Sequence, residues 1–183
     1  MKSFFDYFLA ILISPLVFPF IILFAFISSL VNGGYGFFVQ KRIGKDQKPF
    51  NIYKLRTYNL KTQKINNVSR VLRKYKIDEM PQIFNVLAGE MSFVGPRPDI
   101  KKYADLLRGE EKKILLLKPG ITGPASLKYF NEEELLSKIE DKQTYYDEVI
   151  FKDKIKINLD YYYNNNMLID SKILIKTILK LLR

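Results

Sequence analysis

The chain has 183 residues, about one domain's worth, and its 48% hydrophobic content excludes a disordered tail and leaves material for a core. It has no Cys, His or Trp, which excludes disulfides, Cys/His zinc sites, thiol nucleophiles and a Ser-His-Asp triad. The net charge of +11 is local: residues 1–40 and 77–183 are each neutral, whereas residues 41–76 set twelve basic groups against Asp46 alone. A basic block after an apolar stretch points first to an anionic membrane surface or a phosphate-bearing substrate.

From Tyr7 to Val31 no residue is charged. At about 1.5 Å per residue such a helix can cross a hydrocarbon core of roughly 30 Å. Pro15 and Pro19 each remove a backbone donor near its middle and favour a kink, and Ser14 can bond back to a carbonyl freed there. Lys2 on one flank and Lys41-Arg42 on the other suit the cytoplasmic side equally. A straight span, a re-entrant hairpin and a cleaved export signal are therefore all open. The segment's length and the lack of a clear cleavage site count against the last.

Short apolar stretches alternating with turns such as Gly44-Lys45-Asp46 over Tyr35 to Tyr58 predict a small β-hairpin or an extended region. A helix is expected from Asp78 as N-cap, with Pro81 in its first turn, to Gly89. Further helices are expected at about 98–117 behind Pro98, about 131–144 capped by Asn131, and about 150–163, separated by Gly/Pro-rich loops. In Ile169 to Arg183, Lys172, Lys176, Lys180 and Arg183 form a basic stripe beside Ile173, Leu174, Ile178, Leu179, Leu181 and Leu182. Such a helix either lies in the lipid interface or packs on its own domain with the lysines in water.

Chemistry has few places to reside. Asp78-Glu79 at a helix start is either an N-cap followed by a dipole-compatible Glu or an ionised carboxylate ready to attack phosphorus or hold a divalent metal. The helix start and the run Arg70, Arg73, Lys74 and Lys76 favour the ionised form. Gly95-Pro96-Arg97-Pro98 either is a stiff linker or presents one guanidinium to a phosphate from a restricted backbone. Lys54 and Arg56 alternate with Tyr53 and Leu55 and would share one strand face, as a phosphate cradle or as a solvated surface.

Several segments stand in one order: Ser14-Pro15, Phe37-Phe38-Val39-Gln40-Lys41-Arg42-Ile43-Gly44, Pro49-Phe50-Asn51-Ile52-Tyr53-Lys54-Leu55-Arg56-Thr57, Asp78-Glu79-Met80-Pro81-Gln82 with Asn85-Val86-Leu87, Met91 to Pro98, and Pro119-Gly120-Ile121-Thr122-Gly123. With them the chain resembles the small monotopic phosphoglycosyl transferases, bacterial initiating sugar transferases acting on polyprenyl phosphate. The resemblance implies an α+β, mainly helical monotopic membrane protein. Residues 1–40 would form a re-entrant helix broken at Ser14-Pro15 and a connector. Residues 41–183 would form a cytoplasmic transferase domain with a small β-hairpin and amphipathic interfacial helices.

It also implies the reaction. A UDP-sugar would donate its phosphosugar to undecaprenyl phosphate, releasing UMP, at the cytoplasmic face of a bacterial inner membrane. Asp78 would be the nucleophile and Glu79 its supporting group, with Mg2+ held by both. Lys54, Arg56, Arg73, Gln82, Arg97 and Asp160 would bind substrate. Partners would be the donor, the lipid acceptor, an anionic bilayer and downstream glycosyltransferases, with no nucleic acid. The family's usual pattern differs at Tyr35, Tyr58 and Glu90, at Pro124-Ala125-Ser126 and at Tyr129-Phe130-Asn131, which bears on the choice of sugar. The alternative from another class is a membrane-anchored basic protein that binds anionic lipid or nucleic acid without turnover. Tyr53, Tyr58 and Tyr75 interleave with the cations in its favour, but it leaves the Asp-Glu and Gly-Pro-Arg-Pro segments without a purpose.

Overall fold

The computed structural model describes residues 2–182. These residues are mainly helical, with two small two-stranded sheets, as the α+β, mainly helical reading expects. The chain divides into two compact units: residues up to 42 together with 49–92, and residues 43–48 together with those from 93 onward. Arg183, the last member of the basic C-terminal stripe, lies outside the described residues.

In the first unit, α1 (Lys2–Asn32) runs as one helix through both prolines. Pro15 has no N–H to give the carbonyl of Ile11 four residues back, and the Ser14 hydroxyl donates to that carbonyl at 3.0 Å, the back-bond expected from the Ser-Pro pair. One stripe is buried along its whole length: Asp6, Ala10, Ser14, Ile21, Ala25, Ser28 and Asn32. Phe8, Leu12, Leu16, Leu23 and Leu30 face outward, between 50% and 70% exposed. Among the described residues α1 is the one helix long and apolar enough to cross a membrane. Gly33 and Gly34, both at positive φ, end it.

The hairpin is formed by β1 (Phe37–Ile43) and β2 (Pro49–Leu55). Gly36, at its entry, has no room for a Cβ, which would lie 1.9 Å from the Ala25 carbonyl oxygen of α1. A polar network ties the same end of α1 to the rest of the unit. Ser28 Oγ and Asn32 Nδ2 donate to the Arg56 carbonyl at 2.5 and 2.9 Å, and Asn66 Nδ2 donates to Asn32 Oδ1 at 2.9 Å. Asn66 also caps α2 (Asn67–Lys74) by accepting from Ser69 N–H. That helix carries the basic run and was not expected from the sequence.

The helix expected to open at Asp78 differs. Lys76 sits in the left-handed region, φ 55°, and starts a 3₁₀ segment, Ile77–Gln82, that leads into α3 (Ile83–Leu87). Pro81 has no N–H for the Ile77 carbonyl, so the chain takes the tighter turn, and Asp78 lies within that turn instead of capping it. Gly89, at φ 75°, ends the segment as expected.

In the second unit, β3 (Ser92–Val94) pairs with β4 (Gly120–Thr122). The helix expected at 98–117 is instead α4 (Lys101–Ala104) and a 3₁₀ segment Gly109–Leu116, divided at Gly109 with φ 49°. After α5 (Pro124–Lys128), the expected 131–144 helix splits into α6 (Glu132–Ser137) and α7 (Lys142–Tyr145). Asn131 makes no side-chain cap to α6, whereas Asp141 caps α7 through Thr144 N–H. A π-helical stretch, Tyr146–Phe151, continues into α8 (Lys152–Asn164), and Asn166 caps α9 (Met167–Leu181). On α9 the inward residues include Asp170, Ile173 and Thr177, and the outward ones are Leu168, Ile175, Ile178, Leu179 and Leu182, each more than half exposed.

Candidate functional site

In the first unit, β2 and the 3₁₀ segment pack together and bring Lys54 against the Asp-Glu pair. Phe50 and Ile52 point inward from β2, and Lys54 follows them by strand alternation into a largely buried position. Its ammonium donates to Glu79 Oε1 at 3.0 Å. Such a buried pair fixes orientation more than it adds stability. Asp78, Glu79 and Gln82 are all buried.

Asp78 is the exceptional group. Its Oδ1 is buried and has no hydrogen-bond partner, and the same is true of Gln82 Nε2 four residues on. An unused acceptor and an unused donor on one short turn are costly to keep inside a protein unless something else completes them. Burial, then the neighbouring Glu79 charge, raises the Asp78 pKa from 3.8 to about 6, against the opposing pull of Lys54, Arg73 and Lys76. The cations were expected to keep this aspartate readily ionised, but desolvation outweighs them. A carboxylate with a pKa near 6 remains mostly ionised at neutral pH and is a better nucleophile than an ordinary one.

The frame of this site comes from α3. Asn85, completely buried, accepts from Tyr53 N–H through Oδ1 at 3.2 Å and donates through Nδ2 to the Asn51 carbonyl at 2.7 Å and Glu90 Oε2 at 2.8 Å. Phe84 stacks on Phe18 of α1 at 5.2 Å and meets Tyr53 edge-on at 6.4 Å. The turn that holds Asp78 is therefore braced between α1 and β2. In the sequence Asn85 entered only as part of the Asn85-Val86-Leu87 segment and was given no role at the site; its signal was one amide inside the apolar run Ile83–Leu87.

The other expected substrate residues divide. Arg73 acts on Asp78 electrostatically and lies over the Tyr58 ring at 5.5 Å. Arg56 stands just past the end of β2 at Leu55. Its guanidinium donates to the Tyr35 and Phe37 carbonyls at 3.0 and 3.2 Å, so it clamps the connector leading from α1 into β1.

Arg97 and Asp160 belong to the second unit. Arg97 is exposed on a turn whose backbone is tightly held. Gly95 N–H donates to the Thr122 carbonyl and Gly120 N–H to the Pro96 carbonyl, at 2.9 and 2.8 Å. A Cβ on Gly120 would lie 2.1 Å from Gly95 N, so the Gly-Pro-Arg-Pro and Pro-Gly-Ile-Thr-Gly segments form one backbone-to-backbone unit. Arg97 also acts on Tyr146, whose hydroxyl pKa is pushed up by burial first and by the Asp99 charge next. Asp160 lies exposed on α8, where it accepts from Asn164 Nδ2 at 2.8 Å.

Among the described residues no group of three or more Asp, Glu, His or Cys gathers to hold a metal. Magnesium does not require one: it commonly takes one or two carboxylates and completes its shell with water and substrate phosphates. The unpartnered Asp78 Oδ1 beside Glu79 fits that donor set.

Comparison with known proteins is consistent over the whole chain. The family model described as Bacterial sugar transferase matches residues 1–183. The chain is 30% identical to the UDP-N-acetylgalactosamine-undecaprenyl-phosphate N-acetylgalactosaminephosphotransferase of Aeromonas hydrophila, over 94% of this chain and 41% of that protein. It is 32% identical to the UDP-glucose:undecaprenyl-phosphate glucose-1-phosphate transferase of Escherichia coli (strain K12), over 96% of this chain and 39% of that one. It is 30% identical to the protein of the same name from Caulobacter vibrioides, over 99% of this chain and 69% of that one. The chain thus spans about two fifths of the length of the first two relatives.

Proposed function

The chain belongs to the bacterial sugar transferase family, and from that premise we propose that it moves a sugar phosphate from a UDP-sugar to undecaprenyl phosphate by way of Asp78. The observation that carries this reading is the buried, unpartnered Asp78 Oδ1, with Gln82 Nε2 equally unpartnered one turn away.

In the first step the Asp78 carboxylate attacks the phosphorus that bears the sugar. A carboxylate O–P bond forms, the bridging P–O bond breaks, and UMP leaves with the electron pair. In the second step a phosphate oxygen of the lipid attacks the same phosphorus. The acyl-phosphate bond breaks, and the carboxylate is restored with polyprenyl-diphosphate-sugar as product. Two easier displacements replace one difficult transfer between two anions. Lys54 holds Glu79 in place and, with Arg73 and Lys76, offsets phosphate charge around Asp78. Gln82 Nε2 donates to a non-bridging phosphate oxygen, and Arg97 binds phosphate from its rigid turn. Asp78 and Glu79 would hold magnesium, which when bound neutralises diphosphate charge.

The membrane setting follows from two faces. The outward apolar surface of α1 and the outward apolar stripe of α9, flanked by Lys172 and Lys176, both suit lipid. The proposal takes α1 as re-entrant about Ser14-Pro15, where Pro15 leaves the Ile11 carbonyl to the Ser14 hydroxyl. Both its ends then lie at the cytoplasmic face of the inner membrane, where UDP-sugars are found.

The test is UMP release from a panel of UDP-sugars with undecaprenyl phosphate and magnesium. Wild type should turn over with at least one donor, and Asp78→Asn should lose activity by several orders of magnitude. Full activity of Asp78→Asn would remove the nucleophile assignment. No release with any donor would favour a binding protein without turnover.

A further inference from the structure

The helix α9 meets the rest of the second unit through Ile173 and several polar side chains, while Leu168, Ile175, Ile178 and Leu179 face outward. Tyr161 of α8 and Asp170 of α9 are 4% and 5% exposed. The Tyr161 hydroxyl donates to Asp170 Oδ1 at 2.5 Å and sits 3.5 Å from the carbonyl oxygen of Val94, the residue before Gly95-Pro96-Arg97. One proton serves one short bond, so the hydroxyl is committed to Asp170 and the Val94 contact is the weaker one.

A second tie lies two turns along the same inward face. Thr122 Oγ1 and Thr177 Oγ1 are 2.8 Å apart, and Thr177 already donates to the Ile173 carbonyl, so Thr122 is the donor between them. Val94 and Thr122 end the two strands that lead into the backbone-locked unit presenting Arg97. Lys180 Nζ donates to the Leu127 carbonyl at 2.7 Å and holds the far end of α9 on α5.

A helix that buries one apolar residue, Ile173, and turns most of the others outward does not set its register by apolar packing alone. Hydrogen bonds help to do so, and two of them lead to the strands behind Arg97: Thr177 to Thr122 directly, and Asp170 to Val94 by way of Tyr161. We propose that Tyr161 and Asp170 are positioning residues that hold the Arg97 turn at its phosphate-binding geometry from the interfacial helix; this rests on the functional reading above, in which Arg97 binds phosphate. The pair touches no substrate and acts through Arg97. Asp160, which the family resemblance implied as a substrate-binding position, lies on the exposed side of α8 and takes no part in this arrangement.

The experiment is a double-mutant cycle on the full chain in lipid nanodiscs, with kcat/KM for the UDP-sugar read from UMP release. Tyr161→Phe and Asp170→Asn should each lower kcat/KM by about tenfold, the loss of a hydrogen bond to a charged group. The loss should fall mainly on KM. In an Arg97→Lys background the same substitutions should cost less than twofold more. Full multiplication of the losses in that background, or wild-type kcat/KM for both single variants, would overturn the proposal. Should Tyr161→Phe fail to fold, Asp170→Asn, which keeps the side-chain size and an acceptor oxygen, decides it alone. If Arg97→Lys leaves kcat/KM unchanged while wild type releases UMP, the positioning role falls and Asp78 chemistry stands. If wild type releases no UMP with any donor, the functional reading itself has failed.

Discussion

At the scale of single residues, the proposed chemistry turns on Asp78, a carboxylate kept under an unfavourable condition. The Asp78 pKa is raised from 3.8 to about 6, so the folded state prefers the protonated form and resists ionisation. The sign for stability is then negative with rising pH. Below about pH 4 Asp78 is neutral in both folded and unfolded chains and costs nothing. Between about pH 4 and pH 6 the unfolded chain ionises first and stability falls, by about 3 kcal/mol in total. Asp78→Asn removes that ionisation, so it should melt several degrees above wild type at pH 7.5 and close to it at pH 4, as measured by thermal unfolding at the two pH values. A variant less stable than wild type at pH 7.5 would contradict a desolvated charge. Activity should rise through about pH 6 as Asp78, the proposed nucleophile, ionises. Glu79→Gln removes a cause of the raised pKa, so whatever activity it keeps should have its acid limb moved to lower pH. None of this was legible in the sequence, where the helix start and four nearby cations argued for an easily ionised aspartate. Burial depends on what the rest of the chain places around a residue.

At the scale of elements, α1 combines two jobs that usually conflict. Its outward side is apolar enough for lipid, and its inward stripe carries Ser14, Ser28 and Asn32 into hydrogen bonds. Ser14-Pro15 was readable because the missing N–H of proline names the carbonyl it orphans and the hydroxyl able to replace it. The stacking of Phe18 on Phe84 was not, since it joins residues far apart in the chain. The topology of α1 has a direct check in this Cys-free chain. Single Cys probes at Lys2 and Lys45 should react with an impermeant maleimide from the same side of sealed vesicles. Labelling from opposite sides would require a straight span. The short elements of the second unit were largely lost to sequence reasoning because left-handed Gly109 and the Asp141 cap break patterns that read as longer helices.

At the scale of the whole molecule, the local charge excess and the two outward apolar surfaces point to the same environment. The excess cations of residues 41–76 favour an anionic surface and phosphate-bearing substrates. Both readings of α9 keep a footing: its inward face packs on the domain through Asp170, Ile173 and Thr177, while Ile175 and Ile178 are 58% and 56% exposed and give the proposed lipid contact its surface. Replacing both by Glu should reduce co-sedimentation with anionic vesicles severalfold while leaving the melting temperature nearly unchanged. A large drop in melting temperature with retained vesicle binding would mean that these residues belong to the folded core.

The amino-acid sequence alone determined which functional groups are available for chemistry, the apolar character of the first segment and the motifs that place the chain in its family. Those properties reside in residue type, order and local spacing: a chain without His or Cys must use other groups, and an uncharged run of this length has few destinations. Only the tertiary structure decided that Lys54 reaches Glu79 while Arg56 clamps a connector, that Asn85 frames the site, and that Asp170 is the buried carboxylate while Asp160 faces out. The physical reason is common to all three. Which side chain loses its water, and which partner it then finds, is set by segments that meet only when the chain has folded.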